Sequence, residues 1–401
     1  MNEKELIVVV AIFAIGCGAS RDETVFTKED WALLRSMAFS ARSSPPIDIG
    51  NDLYVGAPES RRMALATFGQ KLFFDSELSS ERAEGTRLSC AECHAPTDWF
   101  SDGRGENNVS YGVSWTGRNS PSLVNVGYYL SFAWDGRADT LWAQGKHAFE
   151  AAATMKGDRL RLAQQIEQRY GPEYNATFGR VVQTAGISEG ELDAIYRNVL
   201  KAWSAYLLQL NSGDSAFDAF VNGDESALTP EQLRGLHLFI GKAGCINCHS
   251  GQHFTDNKFH ALGLEQTGAH VPGVDLGRYT GLQKLAELPT DGGWRIFPVP
   301  MNDESEKGKF RTKSLRHVSQ TAPYFHAGQM ATLGDVVWFY NQGGLSGVTE
   351  KSPFIVPLGL TESEQSDLVA FLGSLTGTPV PAKWACNNSS SDGGVGPRCV
   401  P

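Results

Sequence analysis

The sequence predicts a mostly α-helical chain of two tandem units, with long loops and little strand. Three observations carry that reading. First, Cys90-Ala91-Glu92-Cys93-His94 and Cys245-Ile246-Asn247-Cys248-His249 are both C-x-x-C-H runs. At this spacing two thiols form thioethers to a porphyrin, and the adjacent His sits under the iron. Second, the residues flanking the two runs repeat. Third, apolar residues recur at helical spacing behind capping residues, while period-two alternation is scarce. A zinc or redox Cys pair that happens to precede His would leave the flanking repeat unexplained.

Taken in order, the chain begins with an address. Leu6 to Ile15 is an apolar run too short to span a bilayer, and residues 1–20 read as an export leader. Ala14-Ile15-Gly16-Cys17 resembles a lipobox, which makes Cys17 a candidate lipid anchor; an ordinary cleaved signal peptide is the alternative. Either version places the chain in the periplasm. Residues 21–57 form an N-terminal extension. In it Thr27 and Asp30 open a helix carrying Trp31, Leu34 and Ala38, and Ser43-Ser44-Pro45-Pro46 breaks it.

The first unit spans 58–211. A helix from Glu59 to Phe74 places Leu65, Phe68 and Leu72 on one face and leads into the first C-x-x-C-H run. Gly103 to Asn119 reads as loop. Ser188 and Glu191 form a capping box that opens a long helix, its apolar face running Leu192, Ile195, Val199, Trp203, Tyr206, Leu210. The second unit spans 212–380, entered through a turn-rich linker from Asn211 to Asp224. Thr229-Pro230 starts a helix with Leu233, Leu236 and Phe239 that leads into the second run. Leu262 to Gly308 reads as Gly/Pro-rich loop. Thr332 and Thr361 open further helices, each with an acid three residues on. Of the seven Cys, four go to haem and one to lipid; Cys386 and Cys399 remain in the tail, 381–401, where a disulfide is the simplest use.

The repeat is specific. Gly-x-x-Leu-Phe precedes each run at Gly69 and Gly235. Phe100-Ser101-Asp102 and Phe254-Thr255-Asp256 follow. Ser122-Leu123-x-x-Val126 matches Ser314-Leu315-x-x-Val318, and Trp134-x-Gly136-x-x-x-Thr140-Leu141 matches His326-x-Gly328-x-x-x-Thr332-Leu333. The net charge of −10 disfavours nucleic acid as a partner.

The repeat also separates the two irons. His94 and His249 are the proximal ligands. Tyr340 lies two turns into the Thr332 helix, and its counterpart in the first unit is Ala148, which cannot bind iron. The second haem is therefore expected to be capped and the first open to peroxide. His147, beside Ala148, could spoil this by ligating the first haem.

Residues 61–375 resemble the bacterial dihaem cytochrome c peroxidase/MauG superfamily. The marks are Leu72-Phe-Phe-Asp75, Arg118-Asn-Ser-Pro121, Trp134-Asp-Gly-Arg137, Leu315-Arg316, Thr321-Ala-Pro-Tyr-Phe-His326 and both haem runs. The resemblance implies two cytochrome c-like domains with two covalent haem c groups, a peroxidatic N-terminal haem and an electron-transfer C-terminal haem. Where many members place Met, this chain has Tyr340, which is similar to the MauG/MbnH-like branch that oxidises tryptophans on partner proteins. The loop Val109 to Gly117 lacks the His that caps the peroxidatic iron in many donor-dependent members, and Tyr111 lies near that place. Trp134 matches the Trp between the haems and Gln144 a distal-pocket residue. Thr154 stands where the distal acid is expected, so Glu150, one turn away, is the candidate that moves the peroxide proton. Asn119, Thr321 and Pro323 match positions that hold Ca²⁺ between the domains.

The expected function is a dihaem peroxidase that uses hydrogen peroxide to oxidise a protein substrate at a distance, with Trp as the residue oxidised. The alternatives are a cytochrome c peroxidase with a small redox-protein donor, and a non-catalytic dihaem electron carrier with both irons capped.

Overall fold

The computed structural model describes residues 26–39, 50–103, 109–290, 292–300, 302–345 and 351–386. The leader with Cys17, and Cys399 in the tail, lie outside the described residues. Among the described residues it holds eleven α-helices and a single two-stranded antiparallel sheet.

In the first half, α1 (Lys28–Met37) starts at Thr27, whose hydroxyl and Asp30 form the expected capping box. Next come α2 (Glu59–Phe73), the one-turn α3 (Cys90–Cys93), α4 (Leu141–Glu150), α5 (Arg159–Phe178) and α6 (Glu189–Leu207). Helix α6 opens on the Ser188/Glu191 box and buries Ile195, Val199, Trp203 and Tyr206. The second half holds α7 (Ala216–Val221), α8 (Pro230–Ile240), α9 (Arg278–Ala286), α10 (Leu333–Asn341) and α11 (Glu362–Gly373). Strands β1 (Phe259–His260) and β2 (Phe310–Arg311) pair antiparallel, Phe259 opposite Arg311. Two expectations are corrected. The segment 211–224 is not all linker, because Ser215 and Asp218 box the start of α7. The stretch 262–308 is not all loop, because it contains α9, whose Leu285 is buried in the first core.

Each half is organised by one close helix crossing, α2 on α6 and α8 on α11. The repeated Gly-x-x-Leu-Phe explains itself there. A Cβ on Gly69 would lie 1.9 Å from the Ala202 carbonyl oxygen, and one on Gly235 would lie 2.0 Å from that of Asp367. Only Gly lets the backbones approach so closely. Gly69→Ala or Gly235→Ala should therefore cost at least the ~1–3 kcal/mol of an overpacked core. Gly190→Ala on α6, where nothing stands within 4 Å, should be neutral or stabilising. Thermal unfolding of the three variants checks this; equal midpoints would refute the crossing argument.

The duplication extends to backbone strain. Non-glycine residues with positive φ recur at matching places: Phe100 (56°) and Phe254 (51°), Asn125 (59°) and His317 (61°), Ala133 (64°) and Phe325 (67°).

The two cores exchange their ends. Phe26, Leu34 and Met37 of the N-terminal extension pack into the second core with Phe217 and Phe220. Leu285, Leu288, Trp294 and Trp384, all later in sequence, pack into the first. Gln70 Nε2 donates to the carbonyls of Lys383 and Cys386, and Tyr206 Oη donates to that of Trp384 at 2.6 Å. Cys386 is disulfide-bonded.

Candidate active site

The histidines of the two C-x-x-C-H runs are built alike. His94 Nδ1 lies 3.1 Å from the Phe100 carbonyl oxygen and His249 Nδ1 lies 2.9 Å from that of Phe254. These are the left-handed Phe residues of the repeat. A carbonyl only accepts, so Nδ1 carries the proton and Nε2 keeps its lone pair, the arrangement that orients a metal-ligating imidazole. Burial pushes both imidazoles below the usual His range, toward the neutral form that ligates. The neighbouring thiols do not suit a redox pair, which needs a lowered pKa. Burial instead pushes Cys90 and Cys245 up to about 12 and Cys248 up to about 11.

A cavity of about 580 Å³, lined mainly by the second half, has walls that include Cys245, Cys248, His249 and, from α10, Val336, Val337 and Tyr340. Burial, with the thiols of Cys245 and Cys248 nearby, pushes the Tyr340 hydroxyl well up. The protein alone thus keeps it protonated, and a cation in the cavity would be needed to draw off that proton. The same cavity is met by Arg311 and Lys313. Arg311 is buried with Nη1 unpartnered among the described residues. Neither side chain has a carboxylate partner there. Arg311 with an unpartnered guanidinium nitrogen, a His and two thiols fit a haem with its propionates, and a propionate beside Lys313, whose charged form burial disfavours, would stabilise its ammonium. His249, Cys245 and Cys248 would hold it, with Tyr340 as the further ligand.

Around the first haem run, Cys90 Sγ lies 3.9 Å from Met155 Sδ and Cys93 Sγ lies 3.8 Å from the Tyr111 carbonyl oxygen. Cys90, Cys93 and His94 would hold the first haem. Helix α4 carries Gln144, Ala148 and Glu150. Gln144 Oε1 is buried with no partner among the described residues, so it is free to engage a small polar molecule. His147 Nε2 is within 3.1 Å of the Arg137 carbonyl oxygen, and burial lowers its pKa to about 4. Glu150 is paired with Lys146 and with Arg159, whose Nη2 donates to Oε1 at 2.8 Å. Desolvation opposes its ionisation, but these cations overcome it and hold the carboxyl below its ordinary range. Thr154 turns its hydroxyl to the carbonyls of Ala148 and Ala151.

Between the halves, Trp134 Nε1 donates to the Asn119 carbonyl oxygen at 2.8 Å, and Arg311 N donates to the Trp134 carbonyl at 2.8 Å. Asn119, Thr321 and Pro323 all meet the cavity wall. They offer neutral oxygens, a donor type that suits Ca²⁺ when water completes the shell. Arg118 bridges the halves by donating to Asp135 at 2.7 Å and to both oxygens of Asp275 at 2.7 Å. Asp135 is fully buried, and Arg118 and Arg137 hold it far below the usual carboxylate range against the cost of burial. Several other histidines are packing groups: His237 stacks on Phe26, His317 on Trp99 and His326 on Phe310. Sequence reasoning missed Arg311, Lys313 and Asp275, whose partners are remote in the chain and carry no spacing signal.

Two C-x-x-C-H units in one chain define a tandem c-type haem oxidoreductase. Residues 63–226 match the family model for the di-haem cytochrome c peroxidase. The cytochrome-c peroxidase IdrP1 of Denitromonas iodatirespirans is 35% identical over 83% of this chain and 85% of that protein. The methylamine utilization protein MauG of Methylorubrum extorquens is 33% identical over 90% of each. A crystal structure of a MauG-like protein associated with microbial copper homeostasis superposes with a TM-score of 0.67 at 26% identity, over 87% of this chain and 98% of that one. The chain belongs to the di-haem cytochrome c peroxidase/MauG family. It is thus a dihaem peroxidase-type enzyme whose fold carries two haem c groups. No described helix is long and apolar enough to cross a membrane.

Proposed function

We propose that this enzyme uses hydrogen peroxide to oxidise a Trp on a partner protein by long-range electron transfer. The observation that carries the reading is Tyr340 in the wall of the cavity shared with His249, where its repeat counterpart in the first half is Ala148. When bound, the haems supply the reaction with peroxide and the store for two oxidising equivalents. Every other part falls to the chain. Cys90 and Cys93 tether the first haem, and Cys245 and Cys248 the second. His94 and His249 would ligate the two irons, with Tyr340 as a further ligand to the second. Gln144 Oε1, buried and unpartnered, accepts a hydrogen bond from peroxide and orients it. Glu150, ionised between Lys146 and Arg159, acts as base for the first peroxide proton. Its cations oppose protonation, so the proton passes on to the leaving oxygen rather than resting there. Trp134 links the halves through its indole, and Ca²⁺ at Asn119, Thr321 and Pro323 steadies that junction. Export to the periplasm and lipidation of Cys17 belong to the same reading.

The relatives named cytochrome-c peroxidase support a second reading, reduction of peroxide with electrons from a small redox protein. One experiment separates the two. The dihaem protein is mixed with equimolar peroxide and a small exported Trp-bearing protein encoded beside it, then with a reduced small cytochrome instead. The first reading expects a mass change confined to a Trp peptide and slow cytochrome oxidation. Rapid turnover of the cytochrome with no mass change would favour the second. Two low-spin ferric spectra indifferent to peroxide would reject both.

A further inference from the structure

Trp134 carries an unusual neighbour. Lys313 stands over its ring, Nζ 4.6 Å from the centroid, and lies 5.7 Å from the Tyr129 ring; burial, with Arg311 and Arg118 nearby, pushes its pKa well down, while Asp135 and a haem propionate in the adjoining cavity would favour its charged form. No hydrogen bond or ion pair to Lys313 Nζ exists among the described residues. Its place is fixed from the backbone, because β2 and the residues after it are tied to the first half by the bond from Arg311 N to the Trp134 carbonyl. A cation on an aromatic face is attracted to the neutral ring. The same cation repels a ring that has lost an electron, by direct Coulomb interaction at short range in a poorly screened site. The indole has no second way to shed charge: its Nε1–H points at the Asn119 carbonyl oxygen, which cannot take up a proton at neutral pH.

We propose that Lys313 is a positioning residue that keeps Trp134 a conduit between the two haems and stops it from becoming a resting place for an oxidising equivalent. The inference rests on the reading above, in which electrons cross at Trp134. In normal passage one electron leaves the indole toward the first haem and one replaces it from the second, so the ring is unchanged. Without the cation the ring stays one electron short long enough for water to add. Loss of a second electron and two protons then leaves hydroxytryptophan. Hydrogen peroxide is the oxidant, taking up two electrons and two protons to give two waters.

The test uses dihaem wild type, Lys313→Met and Lys313→Arg, each mixed with equimolar hydrogen peroxide and no protein substrate. Electron paramagnetic resonance reads an indole radical, and peptide mass reads hydroxylation of Trp134. Lys313→Met should show at least a tenfold larger hydroxylated fraction than wild type, while Lys313→Arg, which keeps the charge, should stay at the wild-type level. A merely structural role would not return with charge alone. If Lys313→Met loses covalent haem on a stained gel, Lys313→Gln is read in its place. Equal Trp134 oxidation in all three proteins, with a wild-type spectrum that responds to peroxide, overturns this inference alone. A wild-type spectrum indifferent to peroxide overturns the functional reading and this inference with it.

Discussion

Tyr340→Met is expected to raise the reduction potential of the second haem by about 100 mV or more, roughly a fifty-fold shift of its ferric–ferrous equilibrium at 59 mV per tenfold. A phenolate oxygen favours the ferric state, whereas a thioether sulfur favours the ferrous. Burial deepens the contrast. The cavity pushes the Tyr340 hydroxyl up, so ligation there means exchanging a proton for a metal charge, which a Met never does. The same variant should lose oxidation of the protein substrate by on the order of a hundredfold, about 2.7 kcal/mol of barrier. Spectroelectrochemical titration checks the potential. An unchanged potential and ferric spectrum would remove Tyr340 from the iron, and with it the observation that carries the proposed function.

The second large effect is on stability. Asp218→Ala should cost about 3–5 kcal/mol, the range for breaking a buried ion pair by removing one partner. Arg316 and Asp218 are almost completely buried, at 1% and 2% side-chain exposure. Arg316 donates to both Asp218 oxygens and to the carbonyls of Gln252 and Met37, while Phe39 N donates to Asp218 at 2.8 Å. One ion pair therefore fastens α1, α7 and the loop behind the second haem run. Lys284→Ala is the control: its pair with Glu287 is well exposed, and such pairs contribute about 0–1 kcal/mol. Denaturant unfolding measures both, and hydrogen exchange over residues 26–39 should quicken only in Asp218→Ala. A similar small loss in the two variants would show that Arg316 finds other partners.

What could be read in advance follows from where the physics is local. Thioether chemistry imposes the C-x-x-C-H spacing, so the haem runs announce themselves. Helix caps are local too, and Thr27, Ser188, Thr229, Thr332 and Thr361 each cap the helix expected of them. Helix α5 was hidden because Gly171-Pro172 sits in its interior, a pair that ordinarily breaks a helix. Helix α9 looked like loop because its apolar residues are few and Leu285 answers to a core in the other half. Gly69 and Gly235 were visible as a repeat, yet their cause, a helix crossing with no room for a methyl, exists only in three dimensions. The pairing of Arg118 with Asp275 and the place of Lys313 over Trp134 are likewise set by the fold, not by spacing.

The exchange of ends between the two cores bears on how such a chain matures. Synthesis delivers Cys90 and Cys93 long before Trp294 and Trp384, which complete the core of the first half. The nascent first half therefore lacks part of its core until the last residues arrive. A chain cut at the boundary near residue 211 would yield two fragments, each missing a wedge that the other carries.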